Sequence, residues 1–171
     1  EMLSPAAFKL PGLRDTFGLR SCFNTVLRMW NPAGAAASVQ GVFHPSYRSL
    51  QAEGAALLGQ QTLSIIKGGG GEFERHPSKE VIVYGLRDRA HIQQSAPPVW
   101  QDKRRLHEPD MQVDLNGLWH GHMQDAFAMA TVTGTAALAL WTLKAAPTLA
   151  AAEDMARDLW VTRHRTESLS A

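Results

Sequence analysis

The chain has 171 residues, 44% of them hydrophobic, a length that suits one domain with its own core rather than two domains. Seventeen basic and 16 acidic residues leave a net charge of +1, which excludes a global electrostatic attraction to nucleic acid or an anionic membrane. The longest apolar run, residues 135–141, is far shorter than the roughly 20 residues of a membrane helix. No signal peptide is visible, and we expect a cytoplasmic protein without a membrane partner. The one cysteine, Cys22, cannot form an internal disulfide, and its apolar neighbours predict that it is buried.

The first third of the chain changes from helical to strand-like patterning. Residues 5–30 carry apolar side chains at helical spacing, interrupted by glycine and proline, which predicts short helices joined by turns. A strand, a helix and a second strand are then predicted at 37–43, 46–59 and 61–66. This order is a βαβ unit, which is typical of parallel sheets that bind ligands at the carboxyl ends of their strands.

The remaining elements complete an α/β pattern. A third strand is predicted at 80–85, and a long polar connection at 86–112. Helical patterning then runs to Trp119, from 125 to 143 and from 148 to 163. We therefore predict an α/β fold with a mainly parallel sheet flanked by helices.

The segment "KGGGGEFERHP" at 67–77 follows the second predicted strand. A P-loop requires Lys and Ser/Thr after its last glycine, and here Gly71 is followed by Glu72. The dinucleotide fingerprint requires a glycine where Phe73 stands. Four glycines still permit close approach of the backbone to a ligand, so a ligand-binding loop and a flexible turn both remain open.

Two other clusters suggest sites less strongly. The histidines of "HGH" at 120–122 point apart on a helix and lack a third ligand at a recognisable spacing, which disfavours a metal site. Lys103, Arg104 and Arg105 form a basic cluster. Its side chains suit either phosphate contacts with nucleic acid or a solvated surface.

A family resemblance rests on Arg14, on "GLRSCFN" at 18–24 and on "NPA" at 31–33, and it continues into the glycine loop. These motifs resemble glycosyl transferase family 3, the anthranilate phosphoribosyltransferase-like proteins. The resemblance implies a nucleoside-phosphorylase-like fold with a small helical domain and a larger α/β domain. Residues 1–171 would be the C-terminal portion of that α/β domain, since the N-terminal helical domain and the pyrophosphate loop Gly-Thr-Gly-Gly-Asp are absent from them.

The resemblance also implies a reaction and its ligands. Family enzymes transfer phosphoribosyl from phosphoribosyl pyrophosphate to an aromatic nitrogen acceptor with magnesium. The residue matching Arg14 contacts the carboxylate of the acceptor. The magnesium-binding Asp-Glu pair falls on Phe73 and Glu74, and because phenylalanine cannot ligate magnesium, Glu72 is the substitute ligand if the loop shifts.

The loss of the acidic pair resembles a divergent branch of the family and leaves two hypotheses. In the first, the chain is a phosphoribosyltransferase-family protein that is inactive as this fragment and forms a homodimer or associates with the missing half. In the second, it is a non-catalytic module on the same fold that binds nucleic acid through Lys103, Arg104 and Arg105.

Overall fold

The computed structural model describes residues 5, 9–10, 12–18, 22–106 and 114–163. These residues fall into two compact units, 1–36 and 37–171. The assignment of residues 1–171 to the C-terminal portion of a family α/β domain stays a prediction. Residues 19–21 of the resembling segment and residues 107–112 of the predicted polar connection lie outside the described residues.

Among its described residues, the first unit contains two short helices, α1 (Leu13–Phe17) and α2 (Cys22–Met29). Helix α1 ends at Gly18, whose φ of 68° lets its N–H donate to the carbonyl of Arg14 at 2.8 Å. The prediction that Cys22 is buried is wrong, because this cysteine is exposed. It begins α2, a strongly amphipathic helix, and the apolar residues around it in sequence do not enclose it.

The second unit contains four strands and four helices among its described residues. A strand and a helix, β1 (Ala37–Val42) and α3 (Tyr47–Leu57), lead into β2 (Thr62–Lys67). Two more strands follow, β3 (Val81–Arg87) and β4 (Ala90–Ala96). Three helices complete the unit: α4 (Leu115–His120), α5 (Ala126–Thr142) and α6 (Leu149–Thr162).

The α/β class with flanking helices is confirmed, but the sheet is mixed rather than mainly parallel. Its strand order is β1-β2-β3-β4, with β1 parallel to β2 and the other two pairings antiparallel. Strands β3 and β4 form a hairpin whose two turn residues, Asp88 and Arg89, have φ of 52° and 67°. Positive φ at both positions is typical of a type I′ turn, which permits immediate antiparallel pairing.

Strand β4 occupies part of the stretch that the sequence predicted as a long polar connection. Its residues from Ala90 to Ser95 are exposed or half-buried, because β4 is an edge strand with one face exposed to solvent. The turn before it contains neither glycine nor asparagine, which are the usual indicators of such a hairpin.

The sheet is covered on both faces. On one face, Leu63 and Ile65 of β2 join Val42 and Leu86 in a cluster that packs against alanines of α3. On the other face, a larger apolar cluster brings the sheet against α5 and α6. The hydroxyl of Thr142 on α5 donates to Ser64 of β2 at 2.6 Å inside this second layer. Because both faces are covered, β2 is buried from Thr62 to Ile66 without the alternation of a strand that has one solvent-exposed face.

The helices of the described chain are too short or too polar to cross a lipid bilayer. The most apolar of them, α5, has 17 residues and packs against both α6 and the sheet.

Candidate functional site

The glycine loop begins where the two parallel strands end. Val42 and Lys67, the last residues of β1 and β2, are register partners, and the N–H of Gly68 donates to the carbonyl of Val42 at 3.0 Å. The loop therefore lies at the carboxyl edge of the parallel pair. This is the edge at which open α/β sheets bind ligands.

Two glycines let the loop fold back onto this edge. A β-carbon placed on Gly41 would lie 2.0 Å from the carbonyl carbon of Glu72, and one on Gly68 would lie 2.0 Å from the carbonyl oxygen of Glu72. Real side chains do not approach so closely, so glycine is required at both positions. The close approach fixes the backbone of Glu72 against β1.

The side chain of Glu72 turns onto the loop itself. Both of its carboxylate oxygens accept from the N–H of Gly70, at 3.0 and 2.8 Å, while the residue stays exposed. A carboxylate thus occupies one of the amide donors with which a glycine-rich loop binds an external anion.

The two positions that follow were predicted to hold magnesium. Phe73 packs against the apolar cluster beneath α5 and α6, and Glu74 is half-buried. Magnesium requires near-octahedral oxygen ligands and is usually bound by one or two carboxylates with substrate phosphates. Phe73 supplies no oxygen ligand and Glu72 is turned onto Gly70, so this arrangement fits magnesium poorly. Among the residues that the structure describes, no cluster of three acidic, histidine or cysteine side chains suits a metal.

Aromatic side chains stand at the same edge, directly after β1. The ring of Phe43 meets that of His44 edge to face with centroids 4.8 Å apart, and Tyr47 follows at 6.1 Å from His44. Phe43 is half exposed. The carboxyl edge therefore offers an aromatic surface that the sequence patterns did not single out.

The other predicted ligand residues belong to other elements of the chain. Arg14 is exposed on α1 of the first unit, and its role as the acceptor ligand stays a prediction. Lys103 and Arg105 are exposed. Arg104, between them, forms a bidentate ion pair with Asp125, with nitrogen–oxygen distances of 3.0 and 2.9 Å. Much of its hydrogen-bonding capacity is therefore used within the fold.

Asp125 joins this ion pair to the start of α5. It is the N-cap residue, and its carboxylate accepts from the N–H groups of Phe127 and Ala128 at 2.9 and 3.0 Å. Burial by itself raises the pKa of Asp125, but hydrogen bonds from Ala128 and Arg104, with the charge of Arg104, hold the pKa below its ordinary value. The guanidinium of Arg104 also lies over the ring of Phe127, 4.8 Å from its centroid.

Replacing Asp125 with asparagine is expected to lower the free energy of unfolding by about 1–3 kcal/mol at neutral pH, because asparagine still caps α5 but loses the charged bond to Arg104. A carboxylate whose pKa is lowered by folding stabilises the protein above the pKa of the unfolded chain, about 3.9, and loses this effect as pH falls through its folded pKa. Urea unfolding should therefore show the difference between the two proteins shrinking below about pH 4. A difference that is constant from neutral to acid pH would contradict this assignment.

His76 lies beside the same cluster. Its ring meets Phe127 edge to face at 6.0 Å, and its Nδ1 accepts from the N–H of Ser78 at 3.2 Å. Burial lowers the pKa of His76, the charge of Lys79 lowers it further, and a hydrogen bond with the backbone of Arg104 opposes them. The imidazole is therefore neutral at physiological pH and joins the segment after the glycine loop to the basic segment.

A buried ion pair that sequence reasoning missed lies next to the glycine loop. The side chain of Arg75 is fully buried, and it donates to Oε1 of Glu153 on α6 and to the carbonyl of Pro97, each at 2.7 Å. The N–H of Arg75 also donates to the hydroxyl of Thr135 at 3.0 Å. The sequence hints at this pair only through Glu153, an acidic residue within an alanine-rich stretch of α6. That hint does not identify Arg75 as its partner.

These features define an α/β domain in which one parallel βαβ unit carries a glycine-rich loop at its carboxyl edge. No protein-family model matches the chain. A curated uncharacterised protein of Aquifex aeolicus is 38% identical over 80 residues, which cover 47% of this chain and 26% of that protein.

Anthranilate phosphoribosyltransferases match this chain over a similar length. The anthranilate phosphoribosyltransferase of Burkholderia cenocepacia is 33% identical over 84 residues, which cover 49% of this chain and 24% of that protein. The one of Methylibium petroleiphilum is 32% identical over 84 residues, with the same coverage. The matched part spans about a quarter of the length of these relatives. The similarity supports a relationship to phosphoribosyltransferases of this kind.

Proposed function

We propose that this chain is part of a phosphoribosyltransferase-like protein, in which phosphoribosyl passes from phosphoribosyl pyrophosphate to the nitrogen of an aromatic acceptor. In that reaction the bond from the anomeric carbon to pyrophosphate breaks, a carbon–nitrogen bond forms, and the amine loses a proton. The observation that carries the proposal is the glycine loop at the carboxyl edge of the parallel pair, in a chain similar to anthranilate phosphoribosyltransferases.

The proposed residue roles follow from the chemistry of each group. Arg14 would receive the acceptor's carboxylate, for which a planar guanidinium fork is suited. Glu74, with Glu72, would hold magnesium, which in such reactions neutralises charge on the leaving pyrophosphate. Because Glu72 is turned onto Gly70 and Phe73 is packed into the core, we propose that magnesium chemistry at this loop is weakened.

Residues 1–171 contain neither Gly-Thr-Gly-Gly-Asp nor Lys-His-Gly-Asn, the motifs that supply the pyrophosphate donors in the resembling family. We therefore expect residues 1–171 alone to form no phosphoribosylated product from phosphoribosyl pyrophosphate and anthranilate. The measurement is pyrophosphate release and anthranilate fluorescence, with and without magnesium. The Burkholderia cenocepacia enzyme, assayed in parallel, is the positive control. Robust magnesium-dependent turnover would overturn both the inactivity and the weakened metal site.

A second candidate function is binding of nucleic acid by a non-catalytic module. It is favoured by the exposure of Lys103 and Arg105 on either side of Arg104, which Asp125 holds in place. Two cations on one short segment can neutralise two phosphates, which would make the affinity depend on salt.

Replacing both Lys103 and Arg105 with alanine is expected to weaken binding to a DNA duplex and to reduce the slope of log affinity against log salt by about 2. Fluorescence anisotropy at several salt concentrations measures both quantities. Lys144→Ala removes an exposed cation that is paired with Asp88, and it should leave the slope unchanged. Affinity that does not change with salt in the unmodified chain would exclude phosphate contacts.

A further inference from the structure

A small cleft lies in the second unit between α5, α6 and the segment after β4, apart from the glycine loop. Its volume is about 250 Å³, and its walls are mainly apolar. Two tryptophans, one methionine and several small residues form these walls, which include Val99, Trp100, Met129, Ala130, Gly134 and Trp160. Clefts for drug-sized ligands measure roughly 300–1,000 Å³, so this one suits a molecule with a single ring system.

The wall of the cleft lacks a side chain at Gly134, in the middle of α5. A β-carbon placed there would lie 3.4 Å from Cδ of Arg75 and 3.8 Å from Cγ2 of Val99. A glycine inside a helix is less favourable than alanine. The missing side chain adds about a methyl group of space to the wall of the cleft, since a β-carbon there would already contact the stem of Arg75.

One carboxylate among the wall residues is held in a fixed orientation. Glu153 lines the cleft, its side chain is 18% exposed, and Oε1 accepts from the fully buried Arg75 at 2.7 Å. A carboxylate has two oxygens and about four acceptor sites, so this ion pair leaves capacity for a ligand. The other charged wall residue, Arg157, pairs with Asp154 at the surface, where both side chains are more than half exposed.

The hydroxyl of Thr133 is another polar group of the wall, and it has less hydrogen-bonding capacity left for a ligand. The hydroxyl of Thr133 donates to the carbonyl of Met129 at 2.9 Å. A ligand in this cleft therefore meets apolar and aromatic walls with a carboxylate acceptor. This combination favours an N–H donor, which Glu153 can accept, and disfavours an anion, because a negative charge would lose its hydration among mainly apolar walls.

We propose that this cleft binds a small planar aromatic molecule that is neutral or cationic and donates an N–H hydrogen bond to Glu153. The ring packs among Trp100, Met129 and Trp160, and the N–H group points toward the carboxylate. This site goes beyond the proposed transferase function. It excludes aromatic acids such as anthranilate, for which the guanidinium of Arg14 is proposed instead.

Three bicyclic probes test the proposal by NMR titration of the unmodified chain. Indole should cause saturable shifts of the amide of Gly134 and the indole N–H groups of Trp100 and Trp160. 1-Benzothiophene has a similar shape without a donor, and it should bind about 10-fold more weakly or worse, since a hydrogen bond to a charged group contributes about 1.5–3 kcal/mol. Indole-3-carboxylate should give no saturable shifts over the same concentrations. Equal affinity of indole and 1-benzothiophene, or tightest binding by the anion, would overturn the proposal.

Two variants of α5 locate the binding. Ala130→Phe places a ring inside the cleft and should abolish the indole shifts. Val132→Phe adds the same ring at a residue that is 39% exposed on the same helix, outside the cleft, and should leave the affinity for indole unchanged. Wild-type affinity in folded Ala130→Phe would overturn the site. If that variant does not fold, the probe series decides the proposal without it.

Discussion

Replacing Arg75 with methionine is expected to lower the free energy of unfolding by about 3–5 kcal/mol. The Arg75 side chain is fully buried, and its loss leaves the carboxylate of Glu153 without its cation and the carbonyl of Pro97 without its donor. Burying an unpaired charge costs more than the methionine side chain can recover by packing. Equilibrium urea denaturation, monitored by tryptophan fluorescence, measures the effect.

The matched control is Arg157→Met on the same helix as Glu153. The pair of Arg157 with Asp154 has side chains that are 57% and 71% exposed, so its loss should cost less than about 1 kcal/mol. The double variant Arg75→Met with Glu153→Leu should recover much of the stability lost in Arg75→Met, because both buried charges are then gone. A loss for Arg75→Met as small as that of the control would refute the structural importance of the buried pair.

Replacing Gly41 with alanine should destabilise the second unit by about 3 kcal/mol and displace the glycine loop. The new β-carbon would overlap the backbone of Glu72, which lies 2.0 Å away and cannot yield as a flexible side chain would. We expect the loop to move away from β1. Urea denaturation measures the loss of stability, and limited proteolysis at 68–74 reports the displaced loop.

A glycine in open space provides the comparison. Gly59 has a φ of 76°, a β-carbon placed on it would have no atom within 4 Å, and asparagine tolerates this backbone conformation. Gly59→Asn should therefore lower the free energy of unfolding by much less than Gly41→Ala does. It should leave the proteolysis of the glycine loop unchanged. Equal proteolysis of the loop in both variants would show that Gly41 does not position it.

Much of the second unit could be predicted from its sequence, because periodicity reports burial directly. The apolar pattern located β1, β2 and β3, and the long helices α5 and α6 start within a residue or two of their predicted positions. Strand β4 could not be recognised, since an edge strand with exposed polar side chains resembles a loop. The sheet is mixed because β3 pairs antiparallel with both β2 and β4.

The candidate site was less predictable than the fold, because its contacts join residues far apart in the chain. The pairing of Arg75 with Glu153 spans 78 residues, and that of Arg104 with Asp125 spans 21. Composition located the basic segment without showing that its central arginine is bound to a helix cap. The turn of Glu72 onto Gly70 depends on the backbone path of the loop, which four successive glycines leave undetermined.

The internal contact of Glu72 has a consequence for any anion that approaches the glycine loop. The carboxylate is tethered two residues from the amide that it occupies, so it competes at a high effective concentration. An incoming phosphate must displace it, so the apparent affinity equals the affinity of the open loop multiplied by the fraction of molecules in which the loop is open. We therefore expect the loop to disfavour weakly bound monoanions relative to ligands whose charge is sufficient to displace the Glu72 carboxylate.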